Sequence, residues 1–335
     1  MLQTKLYCSL FNADLGERRL MYKGKVISVV VPCFNEEQQI HKVVETMPSF
    51  VDHIVIVDDK STDGTISRCL ELKSYHRRIV LVIHDENQGV GGAIASGYIW
   101  SRDNGVDAAA VMAGDAQMDP NDLPALLDPI VSGEVDYSKG NRLIWRGAYH
   151  MIPKKRFFGN SMLSFLTKIA SGYWHVADSQ TGYTVVNRSA LDVIDWTSMY
   201  KRYGQPNDLL IRLNIENFRV RDIPVRPVYG VGEVSGIQIR RVIFTISRVL
   251  MKGFLRRMWE KYVVRDFHPL VLFYLLGALM LLTFLLMVLR VLVLWLVDGF
   301  APPMSAMAAL FAFSTGLQSL FFAMWFDMDS NKHLR

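Results

Sequence analysis

Cysteine is scarce in this chain: three in 335 residues, at Cys8, Cys33 and Cys69. They are far apart and form no C-x-x-C pair, so no disulfide framework is expected. All three precede the apolar C-terminal region, which suits a reducing cytoplasm. The start of the chain lacks a long apolar run. Met1 to Met21 is mixed and polar and does not read as a secretory signal. Zinc-ligand spacing and nucleic-acid motifs are also missing, which argues against nucleic acid as a partner. No internal repeat or low-complexity stretch is evident.

Apolar residues are in excess, making up 50% of the chain. The mean hydropathy is +0.17, and the excess collects after Pro269. Leu270 to Val297 is an apolar run interrupted only by Arg290, and Met304 to Phe326 is a second. Roughly 20 residues span a bilayer, so two transmembrane helices are expected, over 269–297 and 303–326. Eight basic residues precede the first: Arg240, Arg241, Arg248, Lys252, Arg256, Arg257, Lys261 and Arg265. Lys332 and Arg335 follow the second, and the connection between them has no Lys or Arg. The positive-inside rule then puts both ends in the cytoplasm, with Arg290 either snorkelling to the far interface, the favoured reading, or facing a partner helix or lipid phosphate. Between Gly236 and Val264, apolar and basic residues alternate at helical spacing, as in amphipathic helices lying in the interface. The net charge of +5 is therefore assigned to lipid headgroups and anionic substrates.

The first half reads differently. Short apolar runs at Val26–Val31, His53–Val57, Ile79–Ile83 and Ala108–Met112 alternate with helical patterns. This alternation predicts a parallel βαβ sheet. A polar cluster follows each run: Asn35-Glu36, Asp58-Asp59, Asn87-Gln88 and Asp115 to Asp119. In such sheets ligands bind beyond the carboxyl ends of the strands, so the clusters are expected to meet in one crevice. The middle, Tyr137 to Val231, is less regular and is read as the acceptor half of the same domain.

The segments Pro32-Cys33-Phe34-Asn35-Glu36-Glu37, Val57-Asp58-Asp59-Lys60-Ser61-Thr62-Asp63-Gly64-Thr65 and Asp115-Ala116-Gln117-Met118-Asp119-Pro120 resemble family 2 glycosyltransferases of GT-A fold. With interface helices and two spans behind them, the chain is similar to the polyprenyl-phosphate glycosyltransferases within that family. The resemblance covers roughly residues 26 to 326. It implies a Rossmann-like, mostly parallel GT-A domain over 25–233. A 1–24 extension precedes it. Juxtamembrane helices (234–268), the two spans and a cytoplasmic tail (327–335) follow.

The resemblance also implies roles. Pro32, Asn35, Glu36, Asp58, Asp59, Asn87 and Gly89 would bind the nucleotide-sugar, with the glycines after Asn87 letting backbone approach the ligand. Asp115 and Gln117 would hold Mg2+ or Mn2+, although relatives often have Asp where Ala113 stands. Arg142 and Arg156 would hold the acceptor phosphate, with Arg202 a weaker candidate. Asp178 would orient the sugar, and Gln205 to Asp208 would line the pocket. Gly230 to Gly236 is read as a mobile loop or a linker. The implied reaction is inverting transfer of one sugar from a UDP- or GDP-linked donor to undecaprenyl or dolichyl phosphate. It would take place at the cytoplasmic face of the inner (plasma) membrane. Two rivals remain: a processive polysaccharide synthase, for which no Gln-x-x-Arg-Trp motif is found, and a membrane scaffold with a degenerate transferase domain. The oligomeric state, homo-oligomer included, is left open.

Overall fold

The computed structural model describes residues 21–147, 154–227 and 239–335, without the side chains of 154–158 and 239–243. Strands β1 (Ile27–Cys33), β2 (His53–Asp58), β3 (Ile79–Ile83) and β4 (Ala108–Val111) alternate with α1 (Ile40–Glu45), α2 (Thr65–Tyr75) and α3 (Val90–Asp103). β1 pairs in parallel with β2 and β4, and β2 with β3. After α4 (Leu123–Val131) come β5 (Tyr137–Asn141), α5 (Lys154–Ser171), β6 (Thr184–Asn187), α6 (Arg188–Val193), α7 (Gln205–Ile215) and β7 (Val220–Pro224). Together the strands form a seven-stranded sheet in the order 3-2-1-4-6-5-7. β6 is antiparallel to both neighbours, so β5 regains the direction of β4. The carboxyl ends of β1, β2, β3, β4 and β5 therefore lie along one edge. This is the expected Rossmann-like, mostly parallel arrangement.

The strands follow the period of two that places successive side chains on opposite faces. Ile27, Val29, Val31, Ile54 and Ile56 pack with α1, α2 and α4 on one face. Val30, Val55, Val57 and Val111 pack with α3, α6 and α7 on the other. With apolar residues on both faces these strands are buried throughout, as their unbroken apolar runs require.

A long helix, α8 (Ile239–Trp259), a π-helical turn (Glu260–Arg265), α9 (Leu270–Asp298) and α10 (Pro303–Ser330) complete the chain. α9 and α10 are long and apolar enough to cross a membrane, with mean hydropathies of 2.6 and 1.5. Gly299, in the left-handed region at φ 66, ends α9 and starts the turn between them. α10 turns small residues inward, Ser305, Ala309, Ala312, Gly316, Ser319 and Ala323. Such a stripe lets two helices approach closely. At Gly277 a side chain would meet Leu320 and the Gly316 carbonyl on the facing helix.

The foot of this hairpin is bound to the α/β domain by buried polar groups. Arg257 on α8 and Asp327 on α10 are both fully buried and pair two-pronged, at 2.7 and 3.0 Å. Arg257 also donates to the carbonyls of Ala170 and Ile169 at the end of α5, at 2.9 and 3.0 Å. The Tyr262 hydroxyl donates to Asp327 at 2.8 Å. Lys261 donates to the Asn214 carbonyl, Asn214 Oδ1 and Asn331 Oδ1 at 2.8 to 3.0 Å. The last turn, Lys332–Leu334, returns to the domain, and Leu334 packs into the core on the α3 face. Residues after α10 are thus docked rather than trailing free.

Candidate active site

The loops after β1 and β2 are laced together. The Asn35 N–H donates to Ser61 Oγ (3.0 Å) and Asn35 Oδ1 accepts from the Thr62 N–H (2.8 Å). The Glu36 N–H donates to Thr65 Oγ1 at 2.8 Å. Asp58 is fully buried, with Oδ2 accepting from the Ser61 N–H at 3.0 Å. Its Oδ1 has no hydrogen-bond partner among the described residues. Asp59, also buried, clamps the next loop. It accepts from the Gln88 N–H (2.8 Å), the Gly89 N–H (2.7 Å) and His84 Nδ1 (2.8 Å). A carboxylate only accepts, so Nδ1 carries the imidazole proton, while Nε2 meets Ser96 Oγ at 2.8 Å. Asn87 donates to the Asp59 carbonyl at 3.1 Å.

The glycines after Asn87 serve a contact that the sequence reading did not anticipate. Gly89 has φ 85, and a Cβ there would lie 2.6 Å from the Lys201 carbonyl. At Gly91 a side chain would strike the Tyr200 carbonyl. The Gly92 N–H donates to the Lys201 carbonyl at 3.1 Å, which satisfies one of the N–H groups that the first turn of α3 leaves without a partner inside the helix. The backbone these glycines admit is thus the protein's own 200–205 loop. Arg202 is exposed on that loop.

Asp115 follows β4, and its Oδ1 accepts from the Gln117 N–H at 3.1 Å. Ala116 between them holds φ 57; Asn35 and Lys60, in the loops after β1 and β2, hold 59 and 64. Three non-glycine residues in the left-handed region, one after each of three neighbouring strands, mark a strained rim of the kind found at functional sites. The Pro32 carbonyl accepts from the Gly114 N–H at 3.3 Å, tying the first loop to the fourth. Burial, then the nearby Asp115 and Asp63 carboxylates, push the Glu36 carboxyl up to about 7. That field attracts cations. Among the described residues no three His, Cys, Asp or Glu side chains form a metal cage. Asp115 and Gln117 offer oxygens to a hard divalent ion, which takes six or more. The set fits Mg2+ or Mn2+ only when a diphosphate and water supply the remainder. Ala113 lines a cavity of about 200 Å³ with Lys42, Thr46, Met118 and Asp119.

The second half of the site stands at the end of β5. Asp178 is fully buried and receives the Arg142 side chain two-pronged, at 2.8 and 3.2 Å, and the Arg142 N–H at 3.1 Å. Burial works to raise the Asp178 carboxyl, but the Arg142 guanidinium and the Lys139 ammonium prevail and hold it below the usual carboxylate range. Lys139, fully buried, donates to the Asp178 carbonyl and lies 3.8 Å from Asp222. Behind them Asn207 accepts from Thr167 (2.9 Å) and Gln180 (3.1 Å). Asp208 pairs with Arg212 at 2.8 Å. The Tyr183 hydroxyl donates to the Asp119 carbonyl at 3.1 Å and joins the two halves. Arg156 belongs to the first turn of α5, with its side chain outside the described residues, as is all of Gly230 to Gly236. His84 and Asp222 escaped the sequence reading, and Lys139 stood out only as part of the polar stretch Lys139-Gly140-Asn141-Arg142, with no role attached.

A Rossmann-like, mostly parallel sheet whose carboxyl edge carries an Asn-Glu loop, a buried Asp pair and a rimmed Asp115 is the arrangement of a glycosyltransferase of GT-A fold. Residues 28–195 match the glycosyl transferase family 2 profile, and the chain belongs to that family. Among relatives, the UDP-N-acetylglucosamine–dolichyl-phosphate N-acetylglucosaminyltransferase of Methanococcus voltae is 30% identical over 68% of this chain and 98% of its own length. The polyprenol monophosphomannose synthase of Mycolicibacterium smegmatis is 28% identical over 68% and 88%. The undecaprenyl-phosphate mannosyltransferase of Micrococcus luteus is 25% identical over 66% and 93%. The fold is also that of glucosyl-3-phosphoglycerate synthase from Mycobacterium tuberculosis, solved with Mn2+, uridine diphosphate and product. Its TM-score is 0.51 at 21% identity, over 70% of this chain and 80% of that one.

Proposed function

We propose that the protein transfers one sugar from a nucleotide diphosphate sugar to a polyprenyl phosphate at the cytoplasmic face of a membrane, with inversion. The observation that carries this reading is the fixed union of a family 2 transferase domain with an apolar hairpin, through the buried Arg257–Asp327 pair. An enzyme so built meets its donor from water and its acceptor from lipid. Relatives named for dolichyl, polyprenol and undecaprenyl phosphate acceptors support the same acceptor class.

A phosphate oxygen of the lipid bonds to the anomeric carbon as the bond from that carbon to the nucleotide's β-phosphate oxygen breaks. The nucleoside diphosphate leaves. A phosphate monoester is mostly ionised at neutral pH, so it needs cationic placement more than a general base. Arg142, aimed by Asp178, fills that need, and Arg156 on α5 is the second candidate. The nucleotide half of the donor falls to Pro32, Asn35, Glu36, Asp58, Asp59 and Asn87, with Gly89 contributing through the shape of the loop, since its N–H is held by Asp59 and its open face by Lys201. Asp115 and Gln117 would hold Mg2+ or Mn2+, which when bound offsets charge growing on the leaving diphosphate. The test is incubation of the membrane-embedded protein with a panel of labelled UDP- and GDP-sugars and undecaprenyl phosphate. One sugar on an extractable lipid is expected. Long polymer, or label that never enters the lipid fraction with any donor, overturns the reading.

A further inference from the structure

The outermost strands of the sheet are finished differently. The order 3-2-1-4-6-5-7 puts β7 at one end and β3 at the other. β7 reads Val-Arg-Asp-Ile-Pro. Charges and a proline of this kind keep an edge strand from pairing with another chain. β3 reads Ile-Val-Leu-Val-Ile, with no charge, proline or glycine. Leu81 is half-buried, and Ile83 is 49% exposed.

The backbone of β3 is available as well. The Arg78 carbonyl accepts from the Ile54 N–H, and the His84 N–H donates to the Asp58 carbonyl. Even-numbered residues therefore face β2. Alternation then turns the N–H and C=O of Leu81 and Ile83, and the C=O of Ile79, to the open side. Among the described residues no strand pairs there.

The sequence around β3 says what fits this edge. Arg77 and Arg78 precede the five apolar residues, and Asp85 and Glu86 follow them closely. A second copy of the strand, antiparallel and centred on Leu81, sets Leu81 against Leu81 and Ile79 against Ile83. It also sets Arg77 opposite Asp85, both of them exposed. Opposite charges facing across two strands attract. In this register the odd-numbered residues form the hydrogen-bonded pairs, and theirs are the groups that point outward. A parallel copy in register would face arginine with arginine.

The apolar hairpin adds a second argument. The two-fold axis between such strands stands perpendicular to the sheet, so both copies turn the same face to the same side. α8 is held to the α7 side of the sheet by Ile246, Leu250, Ile211 and Ile215, and Leu334 enters the core on that side. Both hairpins then lie on one side of the joined sheet, as two copies in a single bilayer must. A five-residue edge is a small contact, but confinement to one membrane raises the effective concentration of the chains.

We propose that β3 is a docking surface for a second copy of this chain, the two strands pairing antiparallel about Leu81 so that two sheets become one. The pairing goes beyond the reaction proposed above and does not depend on which sugar or acceptor the site takes. It adjoins the donor side, because Asp85 stands two residues before Asn87.

The test uses the full chain, sparsely reconstituted in phosphatidylethanolamine–phosphatidylglycerol vesicles. Cys8 is replaced by Ser, while Cys33 and Cys69 are buried. Single cysteines are introduced as Leu81→Cys, Ile83→Cys or Tyr75→Cys, and disulfides are formed with copper–phenanthroline. In the proposed register the two Cα atoms at 81 are about 5.5 Å apart, within reach of a disulfide. Those at 83 are about 14 Å apart. Covalent dimer is expected from Leu81→Cys at least about tenfold faster than from the other two. Absence of dimer at 81 overturns the proposal and leaves the edge to a different occupant. Equal rates at all three positions, or a faster reaction at 83, overturn it too. Charge exchange gives an independent measurement, read as the dimer fraction of the detergent-solubilised chain by light scattering. Arg77→Asp is expected to lower that fraction several-fold, and adding Asp85→Arg to restore it. A fraction that Arg77→Asp leaves unchanged, or that the exchange does not restore, overturns the proposal.

Discussion

Asp178 and Arg142 form a unit in which the buried carboxylate orients the guanidinium. Asp178→Asn keeps the shape but removes the charge that fixes Arg142. We expect kcat/KM for the lipid acceptor to fall at least about tenfold, mainly through a raised KM, with the donor's KM little changed. Asp115→Ala is expected to abolish transfer while the protein still inserts into membranes; an unchanged rate would refute its assigned role. Lys261 offers a pH-dependent test of stability. Burial, with Arg257 acting in the same direction, pushes its ammonium down to about 7 from the ordinary 10.5. Between those pH values the unfolded chain holds a proton that the folded chain has shed. Stability therefore rises with pH through that window. Thermal melting between pH 7 and 10 should show the rise, and Lys261→Gln should flatten it. At this scale the sequence named residues better than partners. Asp59 was legible from its motif, but its three donors come from a loop some thirty residues away. His84 sits beside Asp85 and Glu86 and reads as an ordinary polar loop until folding brings Asp59 and Ser96 to its two nitrogens.

At the level of elements, the parallel strands were legible because their apolar runs are continuous, and α9 and α10 because each exceeds the span of a bilayer. β5 was not: Tyr-Ser-Lys-Gly-Asn has no apolar periodicity, and its strand pairing with β6 and β7 is set by tertiary context. α5 was not legible either: it lies in the less regular middle of the chain, and its buried face carries Ser164, Thr167 and Ser171 where an apolar stripe would have signalled a helix. The junction of α5, α8 and α10 suggests a paired experiment. Arg257→Met alone leaves Asp327 charged and buried, and breaking such a pair costs about 3–5 kcal/mol. Replacing both groups, as Arg257→Met with Asp327→Leu, removes the orphaned charge and should recover most of that loss. Chemical denaturation of the three proteins in matched detergent measures both steps. A double variant no more stable than the single one would contradict the account.

Over the whole molecule, the hairpin and the α/β domain share one set of buried groups, and Leu334 belongs to the domain's own core at 1% exposure. Leu334→Ala is accordingly expected to destabilise the transferase domain by about 2–5 kcal/mol, although it follows the apolar hairpin in sequence. Thermal unfolding with nucleotide present and absent would measure the loss. A melting temperature equal to wild type would mean that the end of the chain is not held as described. Sequence reasoning took 327–335 for a tail because nine mostly polar residues after a span carry no sign of a docking site.

The place of Leu334 has a consequence for biogenesis. The ribosome makes it only after α9 and α10, so the α/β domain synthesised first lacks one piece of its core until both apolar helices have been made. A chain stalled before Leu334 would therefore carry a transferase head weakened by the loss of that contact.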